Sequence, residues 1–439
     1  MMGAVLSPGQ AALILFGLFF LLMFMRVPVA FALGLACLPI LAIEPRLDTM
    51  TLMQETFNAY NSFILLAVPF YLLTANIMNI GGTTDRLMRL SRAMVGHFPG
   101  SLAQINVVLS IFFAGISGSA TADAASQSKL FIEAQTREGY DKSFSVAITA
   151  VSAVLAVIIP PSIVMIVWGG ILTVSIGALF LAGILPGLLI GLAQMATVHT
   201  YATVRGYKTY TRSTWGEFFK ALWISIPALM TPAIIIGGKI FGLFTATEAA
   251  CIAVLYAGVL SIIVYREMDT KGLYEALLDT GKLTGITLFC VGTASTFGWL
   301  LAYYKIPEAI LSGVTAWGMG FIATGFFIAA VFLVVGCFLD AIPAIIICAP
   351  ILEPLTKTVG MDPVHFAMVS IISLAFGLVT PPYGLCLLIA CSIAGIRMRE
   401  ALRDTGIMLI PMFLVLALVI VFPEVALLIP RTIAPEFLR

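Results

Sequence analysis

The sequence predicts an all-α polytopic membrane protein, with about ten transmembrane helices plus two re-entrant helical hairpins in an inverted repeat. Three observations carry that prediction. Of 439 residues, 61% are hydrophobic and only 10% charged, against about a quarter charged in a typical soluble domain. Apolar runs recur from end to end, many close to the ~20 residues that span ~30 Å of hydrocarbon. Finally, two distant stretches match each other at a constant offset.

In chain order the apolar segments are 10–25, 27–44, 57–80, 101–128, 143–170, 177–204, 219–238, 243–264, 280–303, 321–355, 364–392 and 404–429. The first, after "MMGAVLSPGQ", lacks the basic region and small-residue cleavage site of a secretory signal and reads as a retained span. Segments 101–128 and 321–355 do not read as simple spans. The first contains "AGISGSATADAAS" (Ala114–Ser126), without Leu, Val or Phe; the second is over-long and interrupted by "GCFLDAIPA".

Basic residues set the orientation. Arg86/Arg89/Arg92, Lys129/Arg137/Lys142, Arg205/Lys208/Arg212/Lys220, Arg266/Lys271/Lys282 and Arg397/Arg399/Arg403 form five groups, which the positive-inside bias assigns to the cytoplasm. That assignment requires 101–128 to enter and leave on the cytoplasmic side and 321–355 to do so on the outer side. Ten spans remain, with both termini outside. Tyr201, Trp215, Trp223, Trp299, Tyr303 and Tyr304 fall near segment ends, as interfacial anchors would.

A net charge of +1 gives no basic field for nucleic acid. The seven Cys lie in apolar stretches without C-x-x-C spacing, and the three His form no metal pattern.

The repeat has an offset of 221 residues. Gly115 and Gly336, Ala120 and Ala341, Gly139 and Gly360, Asp141 and Asp362, Ser152 and Ser373, and the pairs Pro160–Pro161 and Pro381–Pro382 fall in register without a gap. Two Pro-Pro pairs and two Gly pairs aligned this way do not arise from composition alone. Each repeat is thus a hairpin, a polar loop and a proline-broken span. Inverted repeats with broken helices point to secondary transport, with solute and ions bound near the midplane.

Irregular backbone inside a bilayer persists only when buried in protein or lining water. At "VIIPPSIV" and "FGLVTPPYGL" the prolines remove N–H donors and release carbonyls. Gly377 and Gly384 permit tight turns, and Thr380 adds a hydroxyl. Ser117, Ser119, Thr121 and Asp123 supply oxygens at the first tip, and Asp340 at the second. An oxygen-rich set suits Na⁺ or H⁺ rather than a transition metal. A carboxyl group in hydrocarbon is costly, which makes Asp123 and Asp340 functional candidates, although Lys129 could satisfy Asp123. Glu248 fits a helix start, where its charge meets the dipole. No Lys or Arg lies in the tips or breaks, so an anionic substrate there must be held by hydroxyls, helix N-termini, bound cations and water.

The stretches "FAGISGSATADAA", "VIIPPSIVMIVWGG", "SIGALFLAGILPGLL", "GLFTATEAA", "FLDAIPAIIICAPILEPL" and "GLVTPPYG" resemble the large membrane subunit of tripartite ATP-independent periplasmic (TRAP) transporters, over about residues 10 to 430. The chain departs from the family pattern at Ala156–Val157, where Gly-Pro is common, at Gln127–Ser128, and at Ser373, often Asn. The resemblance implies no enzyme and no cofactor. It implies instead an elevator-type importer of an organic acid such as a C4-dicarboxylate, with Na⁺ as coupling ion, in the bacterial inner membrane. Its implied partners are a small four-helix membrane subunit and a periplasmic substrate-binding protein. By position, one Na⁺ site would use Gly115, Ser117, Ser119, Ile159 and Pro160; the other, Gly336, Asp340, Gly377 and Thr380. The implied substrate cavity takes in Thr121, Asp123, Ser152, Pro161, Ser162, Ser373, Pro381 and Pro382.

The expected organisation is an N-terminal scaffold and interfacial arm (1–100), a first transport repeat (101–175), scaffold helices and a second arm (176–320), a second transport repeat (321–396) and a C-terminal helix (397–439). The arms are the stretches 84–98 and 305–319. A self-sufficient Na⁺- or H⁺-coupled di- or tricarboxylate carrier of related architecture is the alternative. A channel or an intramembrane protease is disfavoured, since neither Gly-x-Gly-Asp nor a Ser/His pair is present.

Overall fold

Capping chemistry and proline placement cut the apolar runs into helices. The computed structural model describes residues 6–315 and 318–438; of the expected segments, residues 1–5, 316–317 (in the second arm) and 439 lie outside them. Among the described residues the chain forms α-helices and no strand. They are α1 (Pro8–Phe24), α2 (Val29–Ile43), α3 (Thr49–Tyr60), α4 (Ala67–Ile80), α5 (Thr83–Val95), α6 (Ser101–Ser117) and α7 (Ala120–Arg137). Then come α8 (Lys142–Ala153), α9 (Leu155–Ile158), α10 (Ile163–Leu172), α11 (Ile176–Arg205), α12 (Trp215–Ile240), α13 (Ala246–Val259) and α14 (Thr270–Tyr303). The last are α15 (Ile306–Thr315), α16 (Phe321–Gly336), α17 (Ala341–Thr358), α18 (Pro363–Gly377), α19 (Leu385–Ala394), α20 (Met398–Val421) and α21 (Glu424–Ile433).

Among the described residues seven helical segments are long and apolar enough to cross a membrane alone, or eight when α8–α10 counts as one bent span. The expectation was about ten. The difference arises partly because α1 and α2 are only 17 and 15 residues long. The run 404–429 is also not one helix: it stops at Phe422 and restarts after Pro423, whose ring cannot donate to the preceding turn. Multi-pass membrane character stands on these spans.

The helix boundaries follow the 221-residue offset. α7 and α17 begin at Ala120 and Ala341 and end at Arg137 and Thr358. α8 and α18 begin at Lys142 and Pro363, each after an aspartate at the N-cap, Asp141 and Asp362. Asp362 accepts from the backbone N–H groups of Val364 and His365, satisfying donors that the first turn leaves orphaned. Gly139 and Gly360 both take positive φ, the conformation glycine adopts without steric cost. Pro160–Pro161 and Pro381–Pro382 are both cis.

α6 and α7 form an antiparallel hairpin. Ser110 Oγ donates to Gln127 Oε1 at 2.7 Å, and Gln135 Nε2 donates to the Leu102 carbonyl at 3.4 Å, so partners move apart in step from the Gly118–Ser119 turn. The bend between α8–α9 and α10 is 40°. α16 and α17 are joined through Cys337–Asp340 and pack on each other.

Packing sorts the helices into two bodies. α1–α5 and α12–α14 pack mainly among themselves, with α14 against α2, α3 and α4, and α12 against α5 and α13. The repeat helices form the other body, with α17 bridging the two through α14 and α15. α11, expected within the 176–320 scaffold segment, packs on α6, α9, α18, α20 and α21, and α20 packs on α8, α11 and α18. Small residues explain the fit of α11: a Cβ at Gly183 would meet the Ile158 carbonyl at 2.3 Å, and one at Gly187 would meet Ile159 at 2.4 Å. Close approach through small residues is the usual way helices associate in lipid.

Two expected interfacial anchors have inward roles instead. The Tyr201 hydroxyl donates to buried Asp404, and Tyr304 is buried with its hydroxyl donating to Glu44. Trp215 and Trp223 are largely exposed on α12.

Candidate functional site

Each tip is tied to its own break by one main-chain hydrogen bond. Ile163 N donates to the Gly118 carbonyl at 3.4 Å, and Gly384 N donates to the Cys337 carbonyl at 3.2 Å. Gly118 sits at φ +61°, and a Cβ there would meet the Pro161 carbonyl at 2.9 Å. Gly115 lies one turn above it, with the Pro160 carbonyl 3.9 Å from where its Cβ would stand. Ile159 is extended, and the Ser162 hydroxyl donates across the break to the Val157 carbonyl at 2.9 Å while capping α10 at Met165 N.

Asp123 is buried beneath the first tip. Ser117 Oγ donates to its Oδ1 at 2.5 Å; its Oδ2, equally buried, has no hydrogen-bond partner. Lys129 does not satisfy it, contrary to one reading of the sequence. Ser119 caps α7 through Ala122 N, and its hydroxyl lies 3.3 Å from that of Thr121. In the second repeat, Asp340 Oδ1 accepts from Ala341 N at 2.8 Å. Thr380 donates to the Phe376 carbonyl at 2.7 Å. Gly336 and Gly377 meet where α16 crosses α18: a Cβ on Gly377 would stand 2.6 Å from the Gly336 Cα.

The tips share one cavity of about 600 Å³. Its walls include Ser119 and Thr121 from the first tip, Asp340 from the second, and Val157 and Ile163 flanking the first break. The facing wall comes from α4 and α14, through Asn76, Asp279, Lys282 and Thr287. Of the eight residues expected in the substrate cavity only Thr121 lines it; Asp123, Ser152, Pro161, Ser162, Ser373, Pro381 and Pro382 do not. Ser152 bonds to the Thr149 carbonyl and Asn106, and Ser373 to the Val369 carbonyl, both fully buried. Pro381 and Pro382 are exposed.

Sequence reasoning missed the α4 and α14 wall. Asn76 donates to Thr280 at 2.8 Å, and Lys282 pairs with Asp279 at 3.4 Å, so a polar patch one helical turn long was the available signal. It also read Lys129 only as a topology marker or a partner for Asp123, whereas Lys129 lies on the cavity wall.

A multi-pass helical body with a bent span at Pro160–Pro161, in which residues of both repeat tips line one cavity, fits a membrane transport permease. The family model for the DctM component of tripartite ATP-independent periplasmic transporters matches residues 16–425, and the chain belongs to that family. It is therefore a transporter permease and not an enzyme.

Among similar proteins, the sialic acid TRAP transporter large permease SiaM of Vibrio cholerae is 35% identical over 93% of this chain and 96% of its own. The C4-dicarboxylate TRAP transporter large permease DctM of Pseudomonas aeruginosa is 36% identical, covering 91% and 94%. An uncharacterised Salmonella typhimurium protein, YgiK, is 38% identical over 97% and 98%. The crystal structure of the Alcanivorax borkumensis YdaH transporter aligns with a TM-score of 0.57 over 86% of this chain and 88% of that one, at 14% identity, a likeness of fold.

Proposed function

We propose that this chain is the large permease of a Na⁺-coupled tripartite importer in the bacterial inner membrane. It takes an organic acid from a periplasmic binding protein and works beside a small membrane subunit. The observation that carries the reading is the shared cavity, which touches both tips and lies between the repeat body and the α4–α14 wall.

The residues fit an alkali ion. At the first junction, Ser117, Ser119 and the Pro160 and Pro161 carbonyls are oxygen donors, and the buried Asp123 carboxyl beside them has an Oδ2 with no hydrogen-bond partner among the described residues. Asp340 and Thr380 offer oxygens at the second. Na⁺ supplies positive charge where this chain has no tip lysine or arginine, lowering the cost of bringing an anion into the cavity. The proposed motion is an elevator: the repeat body, with α11 and α20, slides against α1–α5 and α12–α14. The glycine-mediated contacts within the repeat body suit movement as a unit.

Reconstitution into liposomes with both partner proteins tests the reading. Uptake of an acid from a radiolabelled panel should require an inward Na⁺ gradient and fall to background with Asp340→Ala. Uptake indifferent to both would refute Na⁺ coupling at this site, and uptake without the binding protein would favour a self-sufficient carrier.

A further inference from the structure

One cation on the cavity wall is unclaimed. Lys129 projects from α7 of the first hairpin, is exposed, and lines the central cavity. It also borders two smaller cavities, of about 400 Å³ and 440 Å³, beside the same helix. No carboxylate lies within ion-pairing distance of it among the described residues. Glu133, one turn on, is taken by Arg137 at 2.5 Å, and Asp279, on the same cavity wall, by Lys282 at 3.4 Å.

Helical spacing connects Lys129 to the tip. Thr121, Ala122, Ala125, Ser126 and Lys129 all line the cavity, and at intervals of three and four they share one face of α7. That face is small or hydroxylated until it reaches Lys129, so it forms an open track. Thr121 and Lys129 are separated by about 12 Å of helix rise. Helical side chains lean toward the N-terminus, which here directs the lysine stem back toward the tip.

We propose that Lys129, with the Ser126 and Thr121 hydroxyls, is a receiving subsite for a carboxylate of the transported acid at the basic, cytoplasm-assigned end of the cavity. The proposal rests on the organic-acid reading above and deepens it. At the tips an anion meets hydroxyls, backbone dipoles, the Asp340 carboxyl and the coupling ion, but no lysine or arginine. One step toward the basic end, it meets an unpaired ammonium. A charge-assisted hydrogen bond there holds the acid as it leaves the tip and favours acids over neutral solutes of the same shape. Because Lys129 is solvated, the hold is weak enough for release.

The test uses the complete reconstituted transporter and the acid that wild type accumulates best from a ¹⁴C panel of succinate, malate, pyruvate and gluconate. Counterflow is measured with this acid varied on the cytoplasmic side, for wild type, Lys129→Met, Lys129→Gln, Lys129→Arg and the distant surface control Lys271→Met. Expected is a rise of about tenfold in the cytoplasmic-side KM for both neutral variants, as loss of one partly exposed charge-assisted bond implies. Lys129→Arg should stay within about threefold of wild type, and the Na⁺ concentration for half-maximal rate should not change.

A cytoplasmic-side KM within twofold of wild type in Lys129→Met or Lys129→Gln, with Na⁺ coupling intact, overturns the subsite while leaving the functional reading standing. If wild type moves none of the panel under a Na⁺ gradient, the functional reading falls and the subsite falls with it.

Discussion

The crossing of α16 and α18 gives the sharpest energetic prediction. In Gly377→Ala the new methyl would stand 2.6 Å from both the Cα and carbonyl carbon of Gly336 and 2.7 Å from the Leu333 carbonyl oxygen. All three are main-chain atoms of the partner helix, so no side chain can swing away. Reaching ordinary contact requires the helices to part by about 0.8 Å. Overpacking of this kind costs about 1–3 kcal/mol, and a gap that wide forfeits a quarter to a half of the dispersion along the seam, giving roughly 2–4 kcal/mol in all. Gly115, the repeat counterpart of the seam residue Gly336, makes the internal control. At Gly115 the nearest Cβ contact is 3.1 Å, to the Pro232 side chain, and alanine regains about 0.5–1 kcal/mol of helix propensity, so Gly115→Ala should be close to neutral. Thermal unfolding of the detergent-solubilised protein reads the difference. Gly377→Ala should melt several degrees below both wild type and Gly115→Ala; identical melting of the two variants would mean that the helices do not approach this closely.

Three further outcomes follow from the same structure. Ser117→Ala removes the hydrogen-bond donor of Asp123 and leaves a buried carboxylate without one, so it should cost about 1–3 kcal/mol in thermal stability and weaken Na⁺ dependence of uptake. Restoration of stability by the double variant Ser117→Ala/Asp123→Asn would locate that cost in the charge. Gly183→Leu should destabilise strongly, because even a Cβ there would meet the Ile158 carbonyl at 2.3 Å; a wild-type melting profile would reject the packing of α11 on the break. Tyr210 lies in the loop before α12, where its amide donates to the Gly96 carbonyl at 3.0 Å and its hydroxyl donates to Glu138. Burial, then the Glu138 bond, push its hydroxyl up to about 12, so that it stays a neutral donor. Tyr210→Phe should raise backbone hydrogen exchange across 206–214 and 96–100 together, and an unchanged exchange pattern would discount this clasp.

The repeat was legible in the sequence to the residue. Pro160–Pro161 and Pro381–Pro382, Asp141 and Asp362, and Gly139 and Gly360 are local determinants: proline stops a helix, aspartate stands at the N-cap of the next, though only Asp362 caps with its side chain, and glycine turns the chain. The apolar runs likewise determined membrane residence, and the quoted motifs determined the family. Hence the first-tip hydroxyls and Asp340 could be chosen as candidates from sequence; Ser119, Thr121 and Asp340 line one cavity, while Ser117 does not.

What the linear chain left open was which faces meet. Ser152 and Ser373 satisfied the repeat but turn into their own helices, because helix phase relative to a distant neighbour is not written in spacing. Asn76 and Lys282 join the site because α4 and α14 pack over the tips, and α11 joins the repeats through close contacts that include Gly183 and Gly187. Periodicity and capping act over one or two turns, so sequence alone determined where this chain bends and what each bend carries. The cavity is made by contacts between residues from about forty to more than two hundred positions apart, and only tertiary packing decided which of those bends, and which unpaired lysine, face the same space.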